Sequence, residues 1–155
     1  MHKDLIEEIE FQISETDRVF EEYDLFFQDM NYEAPDLLQK TVMANILHSF
    51  YTGIEKIFER IAKEIDKNVP TGNKSHQELL NNMYVKNNIR KAVINEEIYL
   101  LLNEYMKFRH FFRHAYSFQL NWAKMKPLAE TLFDIWENLK RQLLSFISVL
   151  EKETE

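Results

Sequence analysis

The run from Phe108 to Tyr116 carries the side chains of this sequence that are best suited to chemistry. Its letters are FRHFFRHAY, in which Arg109, His114 and Tyr116 form the pattern R-x-x-x-x-H-x-Y. Arginine keeps its positive charge, histidine exchanges a proton near neutral pH, and a tyrosine hydroxyl can be modified. Because a fixed cation beside a proton-transfer group is sufficient to cleave a phosphodiester, the functional interpretation depends on this run.

The segment around the run is basic, although the protein as a whole is acidic. The chain has a formal net charge of −7, yet no acid lies between Glu104 and Glu130. The cations of this segment are Lys107, Arg109, Arg113, Lys124 and Lys126. We expect Lys107, Arg113 and Lys124 to contact a phosphate backbone, since such contacts depend on positive charge. The alternative is that these cations bind no ligand and are present because the helix dipole stabilises positive charge near a helix C-terminus.

The spacing within the run limits how its residues can meet. On a straight α-helix each residue turns by about 100°, so Arg109, Arg113 and Tyr116 would share a face. His114 would lie about 140° from Arg109 around the same helix. For both to act on one phosphate, the helix must break near His114, the long side chains must bend, or a second subunit must contribute. A two-fold dimer is the simplest solution, because it brings two copies of one segment together.

The composition predicts a single all-α domain, 1–155. The 155 residues include only two glycines and three prolines, and 45% of them are apolar. Apolar side chains recur at helical spacing, and a chain of this length can form one core. We therefore predict an up-and-down bundle of four long helices and a short one. Because the chain has no cysteine and no apolar run long enough to span a bilayer, we expect a soluble, cytoplasmic protein without membrane contact.

Apolar stripes and turn signals place the predicted helices along the chain. They cover about 3–29, 36–67 and 75–84, then a stretch from Asn95 through the Arg-His run, and finally 128–150 with Pro127 in the first turn. Ser75 and Glu78 have the spacing of a capping box at the start of the short helix. Gly53 stands in the middle of the second long helix, where glycine costs roughly 1 kcal/mol relative to alanine. It therefore indicates a close helix crossing.

Several side chains near the run have simpler roles available. We expect His110 to be structural or solvated. Glu55 lies at the margin of an apolar helix face and could orient a site residue, but a solvated position is the stronger expectation. Tyr116 could equally be an aromatic at the edge of the core, and Arg113 could pair with an acid at either end of the basic segment. The phenylalanines expected to pack, rather than to stack on bases, are Phe108, Phe111, Phe112 and Phe118.

Metal and nucleotide sites of common kinds find little support. His110 and His114 have the spacing of two zinc ligands on one helix face, but Phe111 stands where the zinc protease motif requires glutamate. No third ligand is evident, so we predict no metal and no other cofactor. The sequence also lacks a Glu-x-x-His pair and a glycine-rich phosphate loop, which argues against a di-iron bundle and a P-loop enzyme.

Three segments, in order along the chain, resemble the HepT-type ribonuclease toxins of the HEPN superfamily. They are Ser75-His76-Gln77-Glu78-Leu79-Leu80, Val93-Ile94-Asn95-Glu96-Glu97-Ile98-Tyr99 and the run from Phe108 to Tyr116. The likeness extends over nearly the whole chain and includes the segment Tyr51–Phe58 and the closing helix. The pattern R-x-x-x-x-H-x-Y is its specific part. The resemblance implies a HEPN-like helical bundle.

The resemblance also implies a role for each residue of the pattern. Arg109 and His114 match the active-site pair of HEPN ribonucleases, which cut RNA, either tRNA or messenger, without a metal and as homodimers. Tyr116 matches the tyrosine to which a minimal nucleotidyltransferase (MNT) antitoxin adds AMP. The dimer is then expected to assemble further with that antitoxin. The chain departs from related sequences at Gln119 and Asn121, where acids are common.

Two other interpretations remain open. A non-catalytic helical subunit that binds a nucleotidyltransferase would explain the acidic bundle and the dimer equally well. A metal-binding bundle would use His110 and His114 as ligands.

Overall fold

Six α-helices make up most of the chain. The computed structural model describes residues 2–153, apart from the side chain of Ser117, and no β-strand occurs within them. The helices are α1 (Lys3–Glu22), α2 (Asp24–Asp29), α3 (Leu37–Ile61), α4 (Ser75–Tyr84), α5 (Glu96–His114) and α6 (Trp122–Glu153). The predicted all-α bundle with four long helices is confirmed: these are α1, α3, α5 and α6.

Helix α3 lies at the centre of the bundle. Eleven of its 25 residues are buried, and they lie on more than one side, so α3 packs against α1, α4, α5 and α6. Phe50 of α3 makes edge-to-face contacts with Tyr105 of α5 and Trp136 of α6, with ring centroids 5.5 and 6.0 Å away. A Cβ at Gly53 would lie 3.3 Å from Thr16 Oγ1 of α1. The predicted close crossing at Gly53 is therefore confirmed.

The first predicted helix, 3–29, is divided in two at Tyr23. The backbone of Tyr23 is not helical (φ −100°, ψ 14°), and the short helix α2 follows it. The break lets Phe27 stack on Phe20 and contact Phe133 of α6, with ring centroids 5.9 and 5.1 Å apart. Since this aromatic cluster joins residues distant in sequence, the spacing of apolar residues could not predict it. The bundle thus contains two short helices, α2 and α4.

The beginnings of α4 and α6 also differ from prediction. Lys74 is the N-cap of α4 and no side chain caps the helix, so the capping box of Ser75 and Glu78 is wrong. Helix α6 begins at Trp122, which places Pro127 inside the helix rather than in its first turn. The indole Nε1 of Trp122 donates to the Tyr32 carbonyl at 2.7 Å. This tertiary contact anchors the extra turn, which the proline alone would not favour.

Contacts with α6 hold α5, the helix that carries the Arg-His run. The side chain of Asn95 caps α5 by accepting from the Ile98 backbone N–H at 2.9 Å, and the backbone N–H of Asn95 donates to the Gln142 side chain of α6. Further along, the buried Tyr105 hydroxyl donates to the Leu128 carbonyl at 2.7 Å. Burial raises the pKa of Tyr105 to about 12. Hydrogen bonds at Asn95 and at Tyr105 therefore hold α5 against α6.

A buried ion pair closes the loop 85–95 between α4 and α5. Arg90 Nε and Nη2 each lie 2.7 Å from an oxygen of Asp66, which belongs to a turn of π-helix, Ala62–Asp66, that extends α3. The guanidinium also donates to the carbonyls of Asn82, Val85 and Lys91. Asp66 and Arg90 thus connect the loop to the end of the central helix.

No helix within residues 2–153 has both the length and the apolar character that a bilayer crossing requires.

Removal of the Arg90 side chain should destabilise the fold strongly. Arg90→Ala leaves the Asp66 carboxylate buried without its partner, which typically lowers the free energy of unfolding by roughly 3–5 kcal/mol. Urea denaturation followed by circular dichroism measures this loss. Arg18 forms only exposed ion pairs with Glu15 and Glu22, so Arg18→Ala is the matched control and should cost less than about 1 kcal/mol. Equal losses in the two variants would contradict this role for the pair.

Candidate functional site

The run from Phe108 to Tyr116 spans the C-terminal end of α5. The helix stops at His114, and Ala115 has an extended backbone (φ −105°, ψ 149°). Tyr116 therefore lies beyond the helix, immediately before a 3₁₀ turn over Ser117–Gln119. The predicted common helical face of Arg109, Arg113 and Tyr116 is wrong for this reason. Of the three ways in which the run could converge, a break near His114 is present.

Arg109 turns inward, against the central helix. Its Nε donates to Thr52 Oγ1 at 3.0 Å, and its Nη1 donates to Glu55 Oε1 at 3.1 Å. The Arg109 side chain is 14% exposed. An arginine has five N–H donors, so the guanidinium is held by one edge and still has donors for a phosphate.

Glu55 is the centre of this polar cluster. Its side chain is only 5% exposed, and its second oxygen, Oε2, lies 2.8 Å from Nδ1 of His76 on α4. The expectation that Glu55 is solvated is wrong, because its carboxylate is buried and contacts both Arg109 and His76. The margin of an apolar helix face is exposed only when the helix lies at the surface, whereas α3 is surrounded by other helices.

Thr52 and His48 continue the polar stripe of Glu55 along α3. Residues at these spacings lie on one side of a helix, here the side toward α5. The His48 ring packs on Phe112 of α5, with ring centroids 5.4 Å apart. Partial burial lowers the pKa of His48, and the positive charges of Arg109 and Arg113 lower it further. The pKa of His48 therefore depends on the positive charge of Arg109 and Arg113.

Tyr51 lies beside Glu55 but takes no part in ionisation near neutral pH. Its side chain is completely buried. Burial, reinforced by the negative charge of Glu55 and partly opposed by Arg109, raises the pKa of Tyr51 far above its ordinary value.

Sequence reasoning missed three of these residues, His48, Thr52 and His76. The first two had a usable signal, because polar side chains at positions 48, 52 and 55 interrupt an apolar helix at helical spacing. His76 had no such signal. It meets Glu55 only because α4 packs on α3.

His114 is exposed and stands apart from the polar cluster. Its ring contacts that of His110, one turn earlier, with centroids 5.2 Å apart. His110 is itself exposed, as predicted. In the described part of the chain, no hydrogen bond joins Arg109 to His114. The two residues share a helix, but the fold of the chain directs Arg109 inward and leaves His114 at the surface.

Tyr116 is presented to solvent together with Phe118. The two residues are 70% and 73% exposed, and their rings stack with centroids 5.4 Å apart and planes within 6°. The Gln119 side chain accepts from the Tyr116 amide at 2.8 Å. Tyr116 is therefore not an aromatic of the core edge.

The prediction that all four phenylalanines of this region pack is only half correct. Phe108 and Phe112 pack against the core, as predicted. Phe111 and Phe118 are exposed.

The cations of the basic segment fall into two groups. Those paired with acids are Lys107 with Glu104 at 3.5 Å, Arg109 with Glu55 at 3.1 Å and Lys126 with Glu33 at 3.0 Å. Arg113 and Lys124 are exposed, and neither is paired with an acid among the described residues. The acid partner considered for Arg113 is thus not found there. Arg113 and Lys124 carry uncompensated charge on either side of Tyr116.

A cavity of about 1080 Å³ lies at the opposite end of α5, beside the loop 85–95 and the ends of α1 and α6. Arg109, His114 and Tyr116 do not line it. Within residues 2–153, no three histidine or acidic side chains converge as a metal site requires.

Comparison with family models matches residues 42–150 to a family described as HepT-like protein. The matched span includes His48, Thr52 and Glu55 of α3, His76 of α4 and the whole run from Phe108 to Tyr116. No curated protein and no solved structure matches the chain.

The titration of His48 should report the charge of the site. We expect its pKa to lie below the ordinary value of about 6.5, and Arg113→Gln to raise it, since one of the neighbouring cations is removed. NMR titration of the imidazole signals measures both values. Lys107→Gln, on the same helix but paired with Glu104, is the control and should leave the titration unchanged.

The same shift has a consequence for stability. A lowered pKa means that His48 binds fewer protons in the folded protein than in the unfolded chain. The free energy of unfolding should therefore fall as the pH drops below about 6.5, where the unfolded chain binds a proton more readily. A measured pKa of His48 at or above the ordinary value would contradict the lowering by burial and positive charge. Equal pKa changes in Arg113→Gln and Lys107→Gln would contradict the effect of Arg113.

Proposed function

The chain belongs to the HepT-like family of HEPN toxin-type proteins, and on this basis we propose that it is a metal-independent endoribonuclease toxin of a type VII HEPN/MNT toxin–antitoxin system. The observation that carries the proposal is that one helix holds both an Arg109 fixed by Thr52 and Glu55, which keeps free donors, and an exposed His114 at its end. The proposed substrate is tRNA or messenger RNA. Lys107, Arg113 and Lys124 would contact its phosphates.

The proposed reaction uses the nucleophile that RNA itself carries. The 2′-oxygen attacks the adjacent phosphorus, the bond from phosphorus to the 5′-oxygen breaks, and a 2′,3′-cyclic phosphate and a 5′-hydroxyl result. Arg109 donates hydrogen bonds to the phosphate oxygens, which gain charge in the transition state, and its own charge does not titrate. His114 transfers a proton.

A two-fold dimer would complete the site. Leu100, Phe111 and His114 lie within about 60° of one another around α5, and all three are exposed. The same stripe also carries the exposed ion pair of Glu104 and Lys107, so its apolar contact surface is limited to Leu100 and Phe111. An isologous contact along this stripe would bring the ends of the two α5 helices, with both copies of His114, to one interface.

Tyr116 is the proposed position at which the antitoxin acts. Its exposure leaves the hydroxyl accessible to an MNT-type nucleotidyltransferase. Transfer of AMP would add a negative charge and considerable bulk between Arg113 and Lys124, so RNA would be repelled from the basic surface. Toxin dimers and antitoxin would assemble into a larger complex.

One observation favours the alternative, a non-catalytic subunit that binds a nucleotidyltransferase. The stacked pair of Tyr116 and Phe118 is a large exposed aromatic surface, and such surfaces are typical of protein contacts. This subunit would leave RNA intact whatever stands at position 114.

The activity should depend on His114 and not on metal. We expect purified protein to cleave bacterial tRNA or messenger RNA in EDTA, and His114→Ala to lower the rate roughly 10²- to 10⁴-fold, since a proton-transfer group is lost. His110→Ala is the control, because this ring is also exposed and contacts that of His114. Intact RNA with the wild type supports the alternative subunit, and equal cleavage by wild type and His114→Ala excludes His114 as the proton-transfer group.

The proposed switch should leave a mass signature at one residue. Protein produced together with its cognate nucleotidyltransferase should gain AMP on the peptide that contains Tyr116, and the modified protein should no longer cleave RNA. Peptide mass spectrometry locates the modification. Tyr116→Phe should gain no mass and should stay active in the presence of the antitoxin. AMP on another residue, or none, would contradict the switch.

A further inference from the structure

Cleavage of RNA through its own 2′-hydroxyl requires two proton transfers. A base takes the proton of the 2′-oxygen, and an acid gives a proton to the departing 5′-oxygen. One imidazole cannot serve as unprotonated base and protonated acid in the same step. A site that contains His114 therefore needs a second group for proton transfer.

His76 is joined to Arg109 through a single buried carboxylate. Glu55 Oε2 lies 2.8 Å from His76 Nδ1, and Glu55 Oε1 accepts from Arg109 Nη1 at 3.1 Å. The His76 side chain is 45% exposed, whereas that of Glu55 is 5% exposed. The carboxylate thus holds one edge of the imidazole and one edge of Arg109, and nearly half of the His76 side chain remains accessible to solvent.

The contact with Glu55 also determines which ring nitrogen can react. An ionised carboxylate only accepts hydrogen bonds, so a neutral His76 carries its hydrogen on Nδ1. Its Nε2 then has a free lone pair. A carboxylate that fixes the tautomer and orientation of a histidine in this way is a common support for proton transfer.

The other histidines lack this arrangement. His2 lies 3.4 Å from the exposed Glu153, at the end of the bundle where α5 begins. His48 is partly buried against Phe112. His110 contacts the ring of His114, and neither of them has an acid partner among the described residues.

We propose that His76 is the general base of the ribonuclease site and that Glu55 is the positioning residue for both His76 and Arg109. This role rests on the proposed RNA cleavage. His76 Nε2 takes the proton as the 2′-oxygen bonds to phosphorus. His114, contributed by the second copy in the proposed dimer, gives a proton to the 5′-oxygen as its bond to phosphorus breaks. The cyclic product and the 5′-hydroxyl then leave the two histidines with exchanged protonation states, which water restores.

A substrate with a better leaving group separates the two histidines. The test uses an RNA oligonucleotide that the wild type cuts, and the same oligonucleotide with sulfur in place of the 5′-oxygen at the cut position. A thiolate leaves without a proton, so the sulfur substrate needs the base but not the acid. His76→Ala should lower cleavage of both substrates roughly 10²- to 10⁴-fold. His114→Ala should be impaired on the oxygen substrate and rescued on the sulfur substrate.

Two variants distinguish proton transfer from a structural role of His76. In His76→Asn the amide nitrogen can still donate to Glu55, so the melting temperature should match the wild type while activity is lost. His110→Ala should retain both activity and stability. Wild-type activity in His76→Ala, or rescue of His76→Ala by sulfur, would overturn the assignment as base. Failure of the wild type to cut any RNA would overturn the proposed function as well.

Glu55→Gln tests the positioning role without relying on activity alone. Arg109 needs an acceptor, so the amide oxygen should face Arg109 and the amide nitrogen should face His76. His76 Nδ1 must then accept, which moves the ring hydrogen to Nε2. Nitrogen-15 NMR should detect the Nδ1–H tautomer in the wild type and the Nε2–H tautomer in Glu55→Gln, with a reduced kcat and little change in KM. The same tautomer in both proteins would contradict the positioning role.

Discussion

A negative charge placed inside the bundle determines how three helices meet. Glu55 lies on the central helix α3, where an unpaired carboxylate would be strongly destabilising, and the fold supplies a donor to each of its oxygens: Arg109 from α5 and His76 from α4. The position of α5 against α3 is thus linked to the orientation of the guanidinium. The same contact that satisfies the buried charge leaves a small part of Arg109 and nearly half of the His76 side chain exposed.

The end of α5 separates His114 and Tyr116 from this cluster. His114 closes the helix, and Ala115 turns the chain away in an extended conformation. Because of that turn, Tyr116 stands in solvent and stacks on Phe118 instead of following the helix face. Arg109 of the ordered polar cluster and the exposed Tyr116 are therefore only seven positions apart along the chain, yet they lie in opposite environments. This arrangement is consistent with the proposed function, in which Arg109 binds phosphate and Tyr116 is modified by the antitoxin.

Local patterns predicted the elements of the fold better than their contacts. The all-α bundle, the long helices and the crossing at Gly53 follow from helical spacing and scarce glycine and proline, which depend on near neighbours in sequence. The break at Tyr23 and the early start of α6 depend on Phe133 and Tyr32, which are far along the chain. The same limit explains Glu55: its place in the sequence indicates the margin of a face, but burial depends on what packs there.

The sequence by itself determined the family, through the match over residues 42–150, and the chemical types present in the run, since Arg109, His114 and Tyr116 are adjacent by covalent order. Only the tertiary structure decided which of these side chains are held and by what. Arg109 is fixed by Thr52 and Glu55, and His76 joins through the same carboxylate, because helices distant in sequence pack against α3. Covalent order specifies which groups are available, whereas burial specifies which of them must find partners.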